Sequence, residues 1–271
     1  MTTDSNQSSA SLKGGGVPLA DVVAFLDHLL DLQSYPDESL NGLQIETNQE
    51  ITKVGAAVDA GEAVFTDAAQ KQVDLLLVHH GLLWSNQQQI RGPFGRKVGE
   101  LFHSGINLYC AHLPLDAHPE FGNNAILAKM LNLEALRPAL KYRGKEIGTI
   151  GTNSGKLTVQ QMAERLKPLG GYGPGQHEVL ILPFGPDVPQ QTAVLTGAGC
   201  SAIADAAAEG FDTLITGEPR QNAYHQCKEL GINLICAGHY ATETVGVRAL
   251  SQIVAGRFKI GQIFLDHPTG I

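Results

Sequence analysis

Two short segments constrain this chain more than anything else in it. GINLYCA at 105–111 and GINLICA at 231–237 agree in six of seven positions. The agreement extends upstream, where residues 53–80 lie over 191–218 without a gap. That register pairs Gly61 with Gly199, Asp67 with Asp205, Asp74 with Asp212 and Leu76 with Leu214, and sets Ala68 and Ala69 on Ala206 and Ala207. Ala-rich helices match by chance easily; a matched helix followed by a matched strand in the same order does not. Self-similarity of this kind marks a duplicated supersecondary unit. Each copy reads strand, helix, strand, helix, strand, so the expected fold is α/β: two similar modules with mostly parallel or mixed sheets. In open α/β sheets ligands collect at the carboxyl ends of the strands, so a site is expected where the two modules meet.

The rest of the chain is read around that repeat. Residues 1–16 are polar and end in GGG, which predicts a disordered tail without the basic start and apolar core of a secretory signal. The first module is expected over 17–135, with 238–271 packing on it, and the second over 136–237. Residues 17–32 have helical spacing with Pro18 in the first turn, and 85–96 read as a loop before a helix near 96–104. The charged stretch 137–146 opens the second half, and GHYATETVGVRALSQIVAG predicts a glycine-entered helix ahead of a last strand, FKIGQIFLD. GGYGPG lacks both a preceding strand in phosphate-binding register and a following lysine, so it reads as a loop. Of 271 residues 43% are hydrophobic and 17% charged, which is ample for a core. The net charge of −8 disfavours a nucleic-acid surface. No apolar run approaches the roughly 20 residues that span a bilayer. Cys110, Cys200, Cys227 and Cys236 form no C-x-x-C pair and predict reduced, buried thiols in a cytoplasmic protein.

Three motifs carry chemistry. LLLVHH runs a buried strand into His79 and His80, whose imidazoles point to opposite sides of the strand axis and can face two atoms a few ångströms apart. After the matched strands come His112-x-x-x-Asp116, which Pro114 makes a turn rather than a helix, and His239-x-x-x-Glu243, which shares one face of a helix. Each alone has an ordinary explanation: a core histidine beside a surface one, a surface turn, a carboxylate at a helix N-terminus. Together, histidines and carboxylates at neighbouring strand ends fit an N/O site for Zn²⁺, Fe²⁺, Mn²⁺, Co²⁺ or Ni²⁺. Five or six donors exceed the four of one zinc, so two ions bridged by a carboxylate are the economical reading. Glu218 and His225 are weaker candidates, read as an exposed helix face with a supporting or substrate role as the alternative. No Ser-His-Asp or Cys-His arrangement is evident, and no catalytic side chain is singled out.

LLLVHHGLLW, AHLPLDAHPEFGNN, LITGE, AGHYATETVGVRAL and SLNGLQIE together resemble the Nif-three-like (YbgI) family of dinuclear metal proteins, also called GTP cyclohydrolase I type 2 homologues. The resemblance runs from about residue 17 to 268. It implies two α/β domains flanking a two-metal site, a toroidal homo-hexamer, and His79, His80, Asp116, His239 and Glu243 as ligands, with Glu243 or Asp116 bridging. His112 is implied as a ligand or as a support to one. The expected function is therefore a metal-dependent hydrolase with two divalent ions per subunit, zinc, iron or manganese. It would use a metal-generated hydroxide on a small molecule such as a nucleotide or phosphoester. The competing class is a non-enzymatic metal-binding, regulatory or metal-delivery ring.

Overall fold

The structure, a computed structural model, describes residues 15–86, 88–170 and 178–271. The tail expected at 1–16 lies outside the described residues up to position 14, as does the GGYGPGQ loop beyond Gly170. Two mixed sheets form the frame. Strands Gly42–Ile45 (β1), Lys53–Asp59 (β2), Leu75–His80 (β3) and Asn107–Cys110 (β4) belong to the first. Glu134–Tyr142 (β5), Lys145–Thr152 (β6), Leu180–Leu182 (β7), Gln191–Val194 (β8), Thr213–Thr216 (β9) and Asn233–Cys236 (β10) form the second. The final strand, Gly261–Phe264 (β11), returns to the first sheet, whose order is β11-β2-β3-β4-β1; the second runs β5-β6-β8-β9-β10-β7. In the first sheet β11, β2, β3 and β4 are parallel and β1 is antiparallel. In the second only β8, β9 and β10 are parallel.

The apolar runs follow from burial on both faces. Along β3, Leu75 and Leu77 enter one core cluster with Val54, Val58 and Tyr109, while Leu76 and Val78 enter another with Ala57, Leu108 and Phe65. This period of two continues into the histidines, so His79 falls on the inner face and is fully buried, while His80 is partly exposed. Helix His239–Phe258 leaves the end of β10, crosses between the sheets and leads into β11. Its Tyr240, Val247, Leu250 and Val254 pack into the first core, and Val245 packs against the second. A helix covered on several sides carries no clean apolar stripe. Gly246 is required there, because a Cβ would come within 2.5 Å of the Asn123 side chain that its own N–H binds. Among the described residues no helix is long and apolar enough to cross a membrane, and all four cysteines are free and buried.

The aligned residues do the same work in both sheets. Asp74 Oδ2 accepts from the N–H groups of Thr52 and Lys53 at 2.7 and 2.9 Å; Asp212 Oδ2 accepts from those of Gln190 and Gln191 at 2.6 and 2.9 Å. The N–H groups of Asn107 and Asn233 then donate to the carbonyls of Asp74 and Asp212, each at 2.9 Å. Each aspartate ties the entry of one strand to the start of the next.

Three local expectations are corrected. The segment after His112 is a short helix, Leu113–Asp116, not a turn: Pro114 occupies its first turn, where a missing N–H costs nothing. The loop expected over 85–96 ends earlier, because a helix runs Gly92–Ser104 with Pro93 at its start. The helix expected over 17–32 covers only Leu19–Leu30, and Val17–Pro18 pairs with Glu50–Ile51 instead. The charged stretch 137–146 is a β-hairpin joining β5 to β6, with Arg143 and Gly144 at positive φ in its turn.

Asp74→Ala leaves two strand-entry N–H groups without their carboxylate. The expected loss is about 1–3 kcal/mol of unfolding free energy, read from urea denaturation, and a change under about 0.5 kcal/mol would contradict this role.

Candidate metal centre

Four loops deliver the site. His79 and His80 end β3; His112 and Asp116 follow β4; His239 and Glu243 open the helix after β10; Thr196 and Gly197 follow β8. All five residues expected as ligands, and His112, meet in one place. Their donor atoms form three groups that could hold a metal ion: His79, His80 and His112; His80, His239 and Glu243; and His79, Asp116 and Glu243. Within each group the donors lie within 4.8 Å of one another.

Each imidazole is held by its Nδ1. His79 Nδ1 faces the Ala111 carbonyl at 2.9 Å, and because a carbonyl only accepts, this nitrogen carries the proton. His80 Nδ1 meets Asp59 Oδ1 at 2.8 Å, His112 Nδ1 meets Asp37 at 2.9 Å, and His239 Nδ1 meets Glu218 Oε2 at 3.1 Å. Backing Nδ1 with a carboxylate or carbonyl fixes the ring and presents Nε2 as the donor, the usual arrangement of metal-bound histidines. The Nε2 atoms converge on the carboxylates. Glu243 Oε1 lies 3.5 Å from His79 Nε2 and 3.2 Å from His239 Nε2, and Oε2 lies 3.4 Å from His80 Nε2. Asp116 Oδ2 lies 3.5 Å from His79 Nε2. Its other oxygen is oriented by Asn123 Nδ2 at 2.8 Å and the Thr196 hydroxyl at 3.0 Å.

Two atoms here are buried without a hydrogen-bond partner: His79 Nε2 and Glu243 Oε2. Leaving a buried donor or acceptor unpaired costs about 1–3 kcal/mol, and both atoms point at the shared centre. A divalent cation would satisfy both, so the donor set fits a metal. Gly197 makes room for it. At φ +65° the residue is in the left-handed region, and a Cβ there would collide with Glu243 Oε1 and lie 3.1 Å from His239 Nε2.

The electrostatics ask for positive charge at the same point. Burial would lower the pKa of His79, but Asp116 and Glu243 outweigh it and hold it up at about 10. His239 is held at about 9 against burial by Glu243 and Glu218. Burial would raise Glu243, yet the surrounding histidines hold it well below the ordinary carboxylate range. Asp37 is likewise pulled below that range against burial, by His112 and Asn41.

Sequence reading missed Asp59 and Asp37, and treated Glu218 as an exposed helix residue, whereas it backs His239. His225 is on an exposed helix face, its ring against Tyr224, and takes no part in these groups. The N-terminal SLNGLQIE segment supports the site. Asn41 Oδ1 accepts from the His112 N–H at 2.7 Å, and Gln44 Oε1 accepts from the N–H groups of Leu82 and Leu83, holding the turn after His80. A cavity of about 360 Å³ opens over the donors, lined among others by Asp37, Glu38, Trp84, Leu113, Tyr142 and Leu195.

Known proteins share this arrangement of chain. The family model described as Duf34/NIF3 (NGG1p interacting factor 3) matches residues 17–269. A Deinococcus radiodurans protein named GTP cyclohydrolase 1 type 2 homolog is 42% identical over 95% of this chain and 96% of its own length. A crystal structure of a Thermus thermophilus protein shares 41% identity at a TM-score of 0.85, covering 94% of this chain and all of that one. Protein ybgI shares 32% identity at a TM-score of 0.86, with the same coverage.

In protein freed of metal, His79 and His239 take up protons more tightly when folded than the value of 6.5 expected of a free histidine. A raised folded pKa stabilises fully below about pH 6.5 and loses that contribution as pH rises through about 9 and then about 10. Urea midpoints measured in chelator should therefore fall between pH 6.5 and 10. Midpoints that rise over this range would contradict the assignment.

Proposed function

This chain belongs to the Duf34/NIF3 family, and from that premise we propose that it is a dinuclear divalent-metal protein acting as a metal-dependent hydrolase. The observation that carries the reading is the sharing of Glu243. One ion would be held by His79, Asp116 and Glu243, and the other by His80, His239 and Glu243, with the buried carboxylate as the bridge. His112 adds a nitrogen beside His79 and His80. Imidazole and carboxylate donors suit zinc, iron or manganese. Two bound divalent cations would polarise a substrate oxygen and make water nucleophilic at neutral pH.

The chain's own residues set the conditions for that chemistry. Asp59, Glu218 and the Ala111 carbonyl hold the Nδ1 protons of His80, His239 and His79, which keeps their Nε2 lone pairs aimed inward. Thr196 and Asn123 occupy one oxygen of Asp116 and leave the other free for the centre. The cavity above admits a small molecule and shields it from bulk water on the side of Leu113, Ile147 and Leu195. Opening of a nucleotide base, suggested by the relatives' printed name, and phosphoester cleavage would use the same parts.

Elemental analysis should find two divalent ions per subunit. Replacing His79 or His80 by Ala should remove one ion preferentially while circular dichroism stays unchanged, and Glu243→Gln should lose the bridge and at least tenfold in turnover. Equal loss of both ions from either histidine variant argues against one imidazole per metal. Two ions per subunit with no turnover on nucleotides, nucleosides or phosphoesters would refute the hydrolase and leave a metal-binding protein.

A further inference from the structure

The wall of the cavity says which substrates its floor can serve. Its floor is the donor cluster. One side is aromatic: Trp84 meets His112 edge-to-face, with ring centroids 5.2 Å apart and 72° between planes, and its indole N–H is tied to the Gly81 carbonyl at 3.1 Å. The facing side brings Leu113, Tyr142, Ile147 and Leu195. Among the described residues neither Lys nor Arg lines the cavity. Its charged wall residues beyond the donors are the carboxylates Asp37 and Glu38. Asp37 is saturated by His112, Asn41 and two backbone N–H groups. Glu38 holds Arg143 at 2.6 Å, and that guanidinium lies 5.1 Å from the Tyr142 ring centroid, so this arginine is engaged on the wall's outer side.

Phosphate-binding proteins present Lys, Arg, backbone N–H nests or helix N-termini to the anion. This wall presents rings, aliphatic groups and a carboxylate. The volume of about 360 Å³ is near the small end of ligand pockets, roughly 300–1,000 Å³. Resting on the metal-centre reading above, we propose that the cavity is a subsite for an uncharged planar heterocycle of nucleobase or nucleoside size, seated against Trp84 and Tyr142 with one ring heteroatom towards the donors. A phosphate carried on that ring weakens its binding, because it meets Glu38 and has no free cation. Phosphoesters and nucleotides are then the poorer ligands of the two kinds that the metal chemistry alone would allow.

Trp84 is the chain's single tryptophan, so its fluorescence reports on this wall alone. The experiment titrates manganese- or zinc-loaded protein with adenosine, guanosine and uridine, then with their 5′-monophosphates and with inorganic phosphate, following indole quenching. At least one nucleoside should bind ten times more tightly than its monophosphate, and phosphate should leave the indole unchanged. Glu38→Gln, which removes the carboxylate and frees Arg143, should narrow that ratio at least threefold. A monophosphate that binds as well as its nucleoside, a ratio untouched by Glu38→Gln, or no quenching by any ring would overturn the assignment. Metal content measured on the same samples separates the two readings: a protein that takes up no metal refutes the centre, whereas a metal-loaded protein with the reverse preference refutes only the subsite.

Discussion

Everything in this structure depends on holding four imidazoles and two carboxylates together in a largely closed space. The rings of His79 and His80 have centroids 4.8 Å apart, those of His79 and His112 5.0 Å, and those of His80 and His239 5.4 Å. Without a partner on the far nitrogen, such rings would rotate and offer the wrong face. The structure prevents this by giving every Nδ1 its own acceptor, three of them carboxylates drawn from different segments. The convergence of Nε2 atoms on Glu243 is therefore a consequence of contacts made behind the rings. The cost is two buried unpartnered atoms at the centre, which is tolerable for a site whose charge is completed by a cation.

The fold supplies those backing groups because of where its strands end. Asp59 ends β2 beside His80 at the end of β3, a direct neighbour in the parallel register. Glu218 follows β9, next to the strand β10 that leads into His239. A parallel sheet aligns the carboxyl ends of adjacent strands, so a ligand from one strand and its support from the next arrive together. The helix His239–Phe258 closes the arrangement by starting on one sheet and packing on the other. Glu243 is thus buried at the junction, and the position of the site cannot be separated from the docking of the two sheets.

Much of this was legible in the sequence, for identifiable reasons. His79, His80, His239 and Glu243 stood out because ligand types adjoined strong apolar strands or shared a helical spacing. The α/β order was visible because strands and helices alternate with clear periodicity. The supports were not visible, since Asp59 and Asp37 look like any aspartate at a strand end or in a polar loop, and their role appears only when β2 and β3 are paired. Pro114 misled because its effect depends on position: it breaks a helix interior but suits a first turn. The hairpin at 137–146 was hidden by its charges, since its outer strand β5 is exposed over most of its length and lacks an apolar alternation. Asn123 and Asn124, both fully buried, were read only as the start of a helix; they bind Gly246 and Thr196 across the sheet junction.

Those two asparagines show how the halves are made to agree on one geometry. Asn123 gives its amide N–H to Asp116 and takes the N–H of Gly246, so a single side chain sets the spacing between the acid after β4 and the helix that carries Glu243. Asn124 gives its amide to the Ile147 carbonyl and accepts the Thr196 N–H, and the Thr196 hydroxyl returns to Asp116. The circuit passes through β6, the loop after β8, the acid and the metal-facing helix. Apolar packing between sheets would tolerate shifts of about an ångström, whereas a fully satisfied buried polar network does not. Precision at the donor atoms is thus supplied by neutral amides that touch none of the histidines, which is why the ligand residues alone do not specify the site.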